Sequence, residues 1–239
     1  KKISMIFQNP MRALNPVFKI ENQMIDILRH QSKFQNIGKR KSKFEYRQEA
    51  IAKLKETGIA DPDKRISNYP YEFSGGMKQR VMIAMALCCQ PDLLIADEPS
   101  TALDVSVQAQ IIELLEELRS RIGMSVLLIS HDLSVIAQMA DRVMVMYAGR
   151  IVESAPSERL YSEPSHPYTR GLLRSMPGYA PPGERFSVIE GTVPNPVRLP
   201  PGCKFSDRCG ERIQRCLDEE PPFFIAGDNH LCRCWLRKG

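Results

Sequence analysis

No stretch of this 239-residue sequence stays apolar for long. The longest such run, VMIAMALCC at 81–89, has nine residues, well short of the roughly 20 that a bilayer-spanning helix needs. An excess of one charge is missing too. The 33 Lys and Arg against 28 Asp and Glu leave +5, too mild to argue for a nucleic-acid partner. Cysteine is scarce before position 203. Only Cys88 and Cys89 occur there, inside the apolar run, and they read as core residues. The sequence does not begin with Met, and no export leader is expected. The chain opens on KKISMIFQ, already strand-like, and the expectation is the interior of a longer protein. What is present, 43% hydrophobic and 26% charged residues, is ordinary for a globular chain of one large or two modest domains.

KKISMIFQ alternates as a strand and stops at Gln8. NPMRALNP follows and reads as a turn bounded by Pro10 and Pro16. Residues 17 to about 90 look helical, interrupted by the basic segment GKRKSKFEYR at 38–47. The loop ISNYPYEFSGG leads into a helix expected over about 77–89. Leu93–Asp97 is the next strand. Asp104 is a plausible helix N-cap, and Ile111, Leu114, Leu115, Leu118 and Ile122 form a stripe three to four residues apart. MSVLLIS is a strand ending before His131, followed by a helix at 133–140, the strand RVMVMY, the turn AGR and the strand IVES. Strands alternating with helices in this way imply a parallel α/β sheet. Beyond Pro156 prolines accumulate and helical periodicity fades after RGLLRSM, so 156–239 reads as an appended region.

Two carboxylates, Asp97 and Glu98, stand at the end of a buried strand, where acids commonly hold a metal or activate water. Ser74, Gly75 and Gly76 precede a helix. Two glycines admit close backbone approach, the helix N-terminus carries partial positive charge, and the serine adds a hydroxyl, a set that suits a phosphate. A capped turn would use the same three residues. His131 follows an apolar strand and so reaches the same sheet edge as the acids.

FSGGMKQR, LLIADEP, STALD and LLISHD, in that order and at short spacing, resemble the ATP-binding subunit of ABC transporters, and the resemblance covers essentially the whole chain. It implies ATP and Mg2+ as cofactors and a role for each matching residue. Gln8 resembles the Q-loop glutamine that senses the nucleotide metal and the membrane partner. Residues 73–77 resemble the signature motif, with Phe73 and Met77 where many members carry Leu and Gln. Asp97 resembles the Walker B aspartate on Mg2+, Glu98 the general base for the attacking water, Asp104 the D-loop aspartate, and His131 the switch histidine on the γ-phosphate. Phosphoryl transfer needs positioning and charge neutralisation more than covalent chemistry, which suits these residue types. A phosphate-cradling G-x-x-x-x-G-K-[ST] string does not occur in the sequence. In the family it lies upstream of the Q-loop. The expectation is therefore a fragment that on its own does not turn over ATP. Ser74, Gly75 and Gly76 could still serve a partner's site across a head-to-tail dimer.

EPSHPYTRGLLRSMP at 163–177 resembles the His-Pro-Tyr segment of oligopeptide and dipeptide importer ATPases, as do PPGCKFSDRC and HLCRCWL. Importers of nickel or other small solutes share these motifs. The spacing C-x5-C-x6-C-x15-C-x-C is not that of a common zinc ribbon, and thiolates suit zinc or iron–sulfur alike. The family resemblance implies a 4Fe-4S cluster on Cys203, Cys209, Cys216 and Cys234, with Cys232 a spare or a substitute.

The fold expected is α/β, a P-loop NTPase-like parallel sheet incomplete on its N-terminal side. Its nucleotide-binding domain would span 1–155, with a helical subdomain over about 10–90 and the Pro/Cys-rich region 156–239 appended. The resemblance implies a peripheral subunit at the cytoplasmic face of the inner membrane that powers peptide import. Its partners would be a second ABC ATPase subunit, two integral membrane permease subunits and, indirectly, an extracytoplasmic substrate-binding protein, with no nucleic acid. Residues 10–16 would face the permease. The run Lys39, Arg40, Lys41, Lys43 reads as a solvated face, with anionic lipid headgroups as the alternative. An ABC protein of DNA repair or translation fits less well, because no heptads are sustained. A non-catalytic metal- or cluster-binding module is a third reading.

Overall fold

The computed structural model describes residues 2–34, 41–101, 103–176 and 188–237. Lys39 and Arg40 of the basic run lie outside them, as does the end of the His-Pro-Tyr segment. The chain divides into two compact units, Lys1–His131 and Asp132–Gly239.

The first unit begins with strand β1 (Ile3–Ile6) and a one-turn helix α1 (Pro10–Ala13). The sequence suggested only a turn there, but Pro10 stands where a helix tolerates proline best, in its first turn. Helices α2 (Ile20–Phe34), α3 (Lys43–Glu56), α4 (Pro62–Arg65) and α5 (Gly75–Leu87) follow. Ser42 starts α3 with a capping box: its hydroxyl accepts from Glu45 N–H while the Glu45 carboxylate accepts from Ser42 N–H at 2.6 Å. Ile20, Met24, Ile25 and Leu28 of α2 and Tyr46, Ala50, Ile51 and Leu54 of α3 repeat at helical spacing and are buried. Helix α5 is buried on most sides, which is why its sequence reads as one apolar run. Lys41 pairs with Glu49 at 2.7 Å, and Lys43 lies 3.9 Å from Glu21.

Strand β2 (Leu93–Asp97), helix α6 (Val105–Ile122) and strand β3 (Ser125–Ile129) complete this unit. The strands run parallel in the order β1-β2-β3, with Ile6 beside Ala96 and Asp97 beside Ile129. Ile6, Leu94 and Ala96 share the buried face, while Ile3, Met5, Leu127 and Ile129 stand exposed on the other. The stripe on α6 is buried through Leu118. Ile122 is exposed instead, because the helix ends on Gly123 in a left-handed cap.

The second unit comprises helix α7 (Leu133–Met139), strands β4 (Arg142–Tyr147) and β5 (Arg150–Pro156), helices α8 (Ser157–Ser162), α9 (Pro167–Arg174) and α10 (Arg215–Asp218), and strands β6 (Phe224–Gly227) and β7 (His230–Cys232). Its sheet has the order β4-β5-β7-β6, antiparallel throughout. The expectation that RVMVMY and IVES extend the parallel sheet is thus corrected. Two residues, Ala148 and Gly149, join them, both at positive φ, and so short a link can connect only antiparallel neighbours. Glu153 and Ser154 of β5 lie beside Cys232 and Leu231 of β7, so this hairpin belongs with the cysteine-bearing tail.

Candidate functional site

Gln8, Glu98 and His131 each follow one of the three parallel strands, and the structure brings them together. Gln8 Nε2 donates to Glu98 Oε2 at 2.6 Å, and His131 Nδ1 lies 3.1 Å from Glu98 Oε1. The register explains this. β2 and β3 end level with one another and β1 one position earlier, so the first residues beyond them share the carboxyl edge of the sheet. The Glu98 N–H reaches across to the Ile129 carbonyl at 2.9 Å.

Thr101 is a member of this group that the sequence reading did not single out. Its hydroxyl donates to Glu98 Oε2 at 2.9 Å, and its N–H donates to the Glu98 carbonyl at 3.2 Å. The signal available was a hydroxyl residue three positions after the acid, at turn spacing. Hydrogen bonds from His131, Thr101 and Gln8 hold the Glu98 carboxyl below the usual glutamate range, against a smaller opposing effect of burial. Glu98 also has φ +45°, a left-handed conformation that is strained for a side chain of its size. An ionised carboxylate fixed in this way can accept a proton from water or orient it.

Asp97 is the last residue of β2 and lies beside Ile129. Its carboxylate and the Gln8 amide oxygen are donors that suit Mg2+. That ion commonly takes one or two protein carboxylates and completes its shell with phosphates and water. Among the described residues no three His, Cys, Asp or Glu groups form a ready cage for a metal ion.

Ser74, Gly75 and Gly76 form a second group. Ser74 N-caps α5, accepting from Met77 N–H at 3.4 Å, and the helix starts at Gly75, two residues earlier than its apolar run suggested. The two glycines face the start of α6. A Cβ on Gly76 would meet Val107 Cγ1 at 2.6 Å, and one on Gly75 would meet Leu103 Cδ2 at 3.3 Å. Asp104 is the N-cap the sequence suggested. It accepts from Val107 N–H at 2.9 Å and from the Ser106 hydroxyl at 2.6 Å, and these bonds hold its carboxyl below the usual aspartate range.

In the second unit, Cys203, Cys209, Cys216 and Cys234 line one narrow cavity together with His166, Pro167, Phe205 and Trp235. All the cysteines are free thiols. Cys232 is buried on β7 and does not line the cavity. The Cys203 N–H donates to the Cys216 carbonyl at 2.8 Å. Gly202 permits that approach, since a Cβ there would stand 2.2 Å from the same carbonyl oxygen. Burial pushes the Cys203 thiol up to about 11 and raises Cys209 and Cys234 as well. Four sulfur donors on one cavity are the right chemistry for a soft metal or a cluster, although they are not drawn in around a single ion-sized point.

Burial of charge is most pronounced beside this cavity. Glu153 is fully buried, and its carboxylate takes Ser165 N–H at 2.6 Å, His166 N–H at 2.9 Å and His230 Nε2 at 2.7 Å. Burial also pushes the His166 imidazole down to about 4.

Comparison with known proteins places these residues in context. The family model for the ABC transporter matches residues 1–101, and that for the oligopeptide/dipeptide transporter C-terminal region matches residues 152–216. A dipeptide transport ATP-binding protein of Bacillus subtilis, DppD, is 48% identical over 236 residues, 98% of this chain and 68% of its own length. The oligopeptide transport ATP-binding protein AppD of the same organism is 45% identical, covering 98% of this chain and 70% of its own. Among solved structures, a dimeric ATP-binding cassette in a post-hydrolysis state with ADP and Pi aligns with a TM-score of 0.55 at 28% identity. That alignment covers 66% of this chain and 63% of the cassette.

Proposed function

Because this chain belongs to the ABC transporter ATP-binding family, of the type that carries the oligopeptide/dipeptide transporter C-terminal region, we propose that it is part of the ATPase that energises peptide import. The observation that carries the reading is the convergence of Gln8 and His131 on Glu98 at the carboxyl edge of adjacent parallel strands. Asp97 would hold Mg2+, which would neutralise charge on the nucleotide phosphates, and Glu98 takes the proton of the attacking water. Gln8 and His131 orient Glu98, and His131 faces the γ-phosphate. Ser74, Gly75 and Gly76, with Asp104 beside them, face the nucleotide of a second ATPase subunit in a head-to-tail dimer.

By its family this chain is a peripheral subunit. No helix among the described residues is long and apolar enough to cross a membrane. The chain works against two integral membrane permease subunits at the cytoplasmic face, and an extracytoplasmic binding protein delivers the peptide to them. Residues 10–16 contact the permease. The 239 residues contain no G-x-x-x-x-G-K-[ST] cradle, and alone they do not turn over ATP. In the second unit Cys203, Cys209, Cys216 and Cys234 hold a 4Fe-4S cluster. The convergence of four free thiols on one cavity supports this assignment.

Two measurements test the reading. Mg-ATP titrated into this chain is expected to show neither binding nor turnover. Binding that Asp97→Ala abolishes would mean that another segment supplies the cradle. Tagged chain is expected to copurify with integral membrane permease subunits, and recovery without them under mild detergent would refute the importer assignment.

A further inference from the structure

Each of the three side chains of the His-Pro-Tyr segment touches the cysteine cavity or its wall. His166 is only 1% exposed and lines the cavity beside Pro167. Its Nδ1 accepts from Tyr168 N–H at 3.1 Å, which caps α9. The His166 ring lies 5.9 Å from that of Phe205. The Tyr168 ring lies 5.4 Å from that of Phe205, and both lie against Tyr147, at 4.7 and 5.2 Å. Phe205 sits in the loop between Cys203 and Cys209 and lines the same cavity.

We infer that the His-Pro-Tyr segment is the brace of the four-thiol site, with His166 and Tyr168 positioning the Cys203–Cys209 loop through Phe205. This inference rests on the reading that the four thiols hold a metal or cluster. Groups that orient ligands without touching the metal typically change its retention by about 10- to 100-fold. His166 and Tyr168 stand in that relation to the thiols.

The test is anaerobic reconstitution of the 239-residue chain with ferrous iron and sulfide. It is scored by iron and sulfide per chain, by the electron paramagnetic resonance signal after reduction, and by the rate of iron loss to a chelator. Wild type is expected to take up iron and sulfide, and Cys216→Ser to lose that capacity. His166→Asn keeps a good helix N-cap but lacks the ring that lies against Phe205. It is expected to load, to show an altered resonance signal, and to release iron about 10- to 100-fold faster, with the Trp235 fluorescence melt unchanged. Tyr168→Leu is expected to do the same with a smaller effect. Release at the wild-type rate with an unaltered signal in His166→Asn overturns the brace while leaving the thiol site standing. Failure of wild type to take up iron with sulfide, or zinc alone, overturns the thiol site itself and the brace with it.

Discussion

Gln8 and Glu98 are joined at 2.6 Å between the ends of neighbouring parallel strands. With Thr101 on the same oxygen and His131 on the other, both oxygens of the carboxylate face donors. The carboxyl is held low for that reason, and the consequence for stability has a definite sign. Between the lowered native value and the ordinary glutamate value of about 4.3, the unfolded chain binds more protons than the native one. Stability therefore rises with pH across that window. Glu98→Gln removes the titrating group. Wild type should exceed the variant in urea denaturation at pH 7, followed by far-UV circular dichroism. The difference should shrink as the pH falls below about 4.3 and through the lowered native value. A gap that stays constant with pH would show that these hydrogen bonds do not favour the ionised form.

Glu153 has no solvent to fall back on. Its carboxylate is the acceptor for two backbone N–H groups and for His230, so truncation leaves three donors buried and unpaired. Glu153→Ala should destabilise the second unit by about 3–5 kcal/mol. Glu153→Gln keeps the shape but turns an amide toward the donors, and should lose about 1–3 kcal/mol. Trp235 is the only tryptophan of the chain and lies in this unit, so its fluorescence in urea reads the effect directly. A loss under about 1 kcal/mol for the alanine variant would mean that the donors find other partners.

The meeting of Gln8, Glu98 and His131 was legible in the sequence because each sits one or two positions beyond an apolar strand. LLIAD ends at Asp97 and the strand before His131 ends at Ile129, so local pattern alone places both at the sheet edge. The α6 stripe was legible through Leu118 and failed at Ile122, where the Gly123 cap turns the chain. The antiparallel sheet was not legible. The pairing of Glu153 with Cys232 and His230 spans nearly eighty residues and leaves no periodicity behind. The short AGR link did carry the information that β4 and β5 are antiparallel, but strand–helix alternation outweighed it. Thr101 and the left-handed backbone of Glu98 escaped because a turn's hydrogen bonds depend on its geometry, not on composition.

Gly76 is set against Val107 as well as at the mouth of a helix. Gly76→Ala would drive a Cβ to 2.6 Å from Val107 Cγ1, and overpacking of this kind costs about 1–3 kcal/mol. Val107→Ala removes the opposing methyl groups. The double variant should recover most of the loss, since contacting residues couple in this way. Gly75→Ala, with 3.3 Å to Leu103, should be milder. Thermal unfolding followed by circular dichroism separates the cases. A double variant no more stable than Gly76→Ala would place the requirement for glycine in the backbone rather than in packing.

The Cys203 thiol is pushed up to about 11 chiefly by burial, so in the metal-free chain it is mostly protonated at neutral pH. The thiolate is the form that reacts. Alkylation of Cys203, followed by mass spectrometry under anaerobic conditions, should be slow at pH 8 and accelerate as the pH rises toward 11. The burial depends on the close approach of the Cys203 and Cys216 loops, which Gly202 alone permits. A Cβ there would fall 2.2 Å from the Cys216 carbonyl oxygen. Gly202→Ala must therefore part the two loops, break the Cys203 N–H bond to that carbonyl, and let water reach the sulfur. Alkylation at pH 8 should speed up by about tenfold, the effect of moving the thiol one unit toward its ordinary value near 8.5. Gly210→Ala is the control, because a Cβ there meets nothing within 4 Å. Equal rates in the two variants would mean that the thiol is shielded by something other than the contact Gly202 allows.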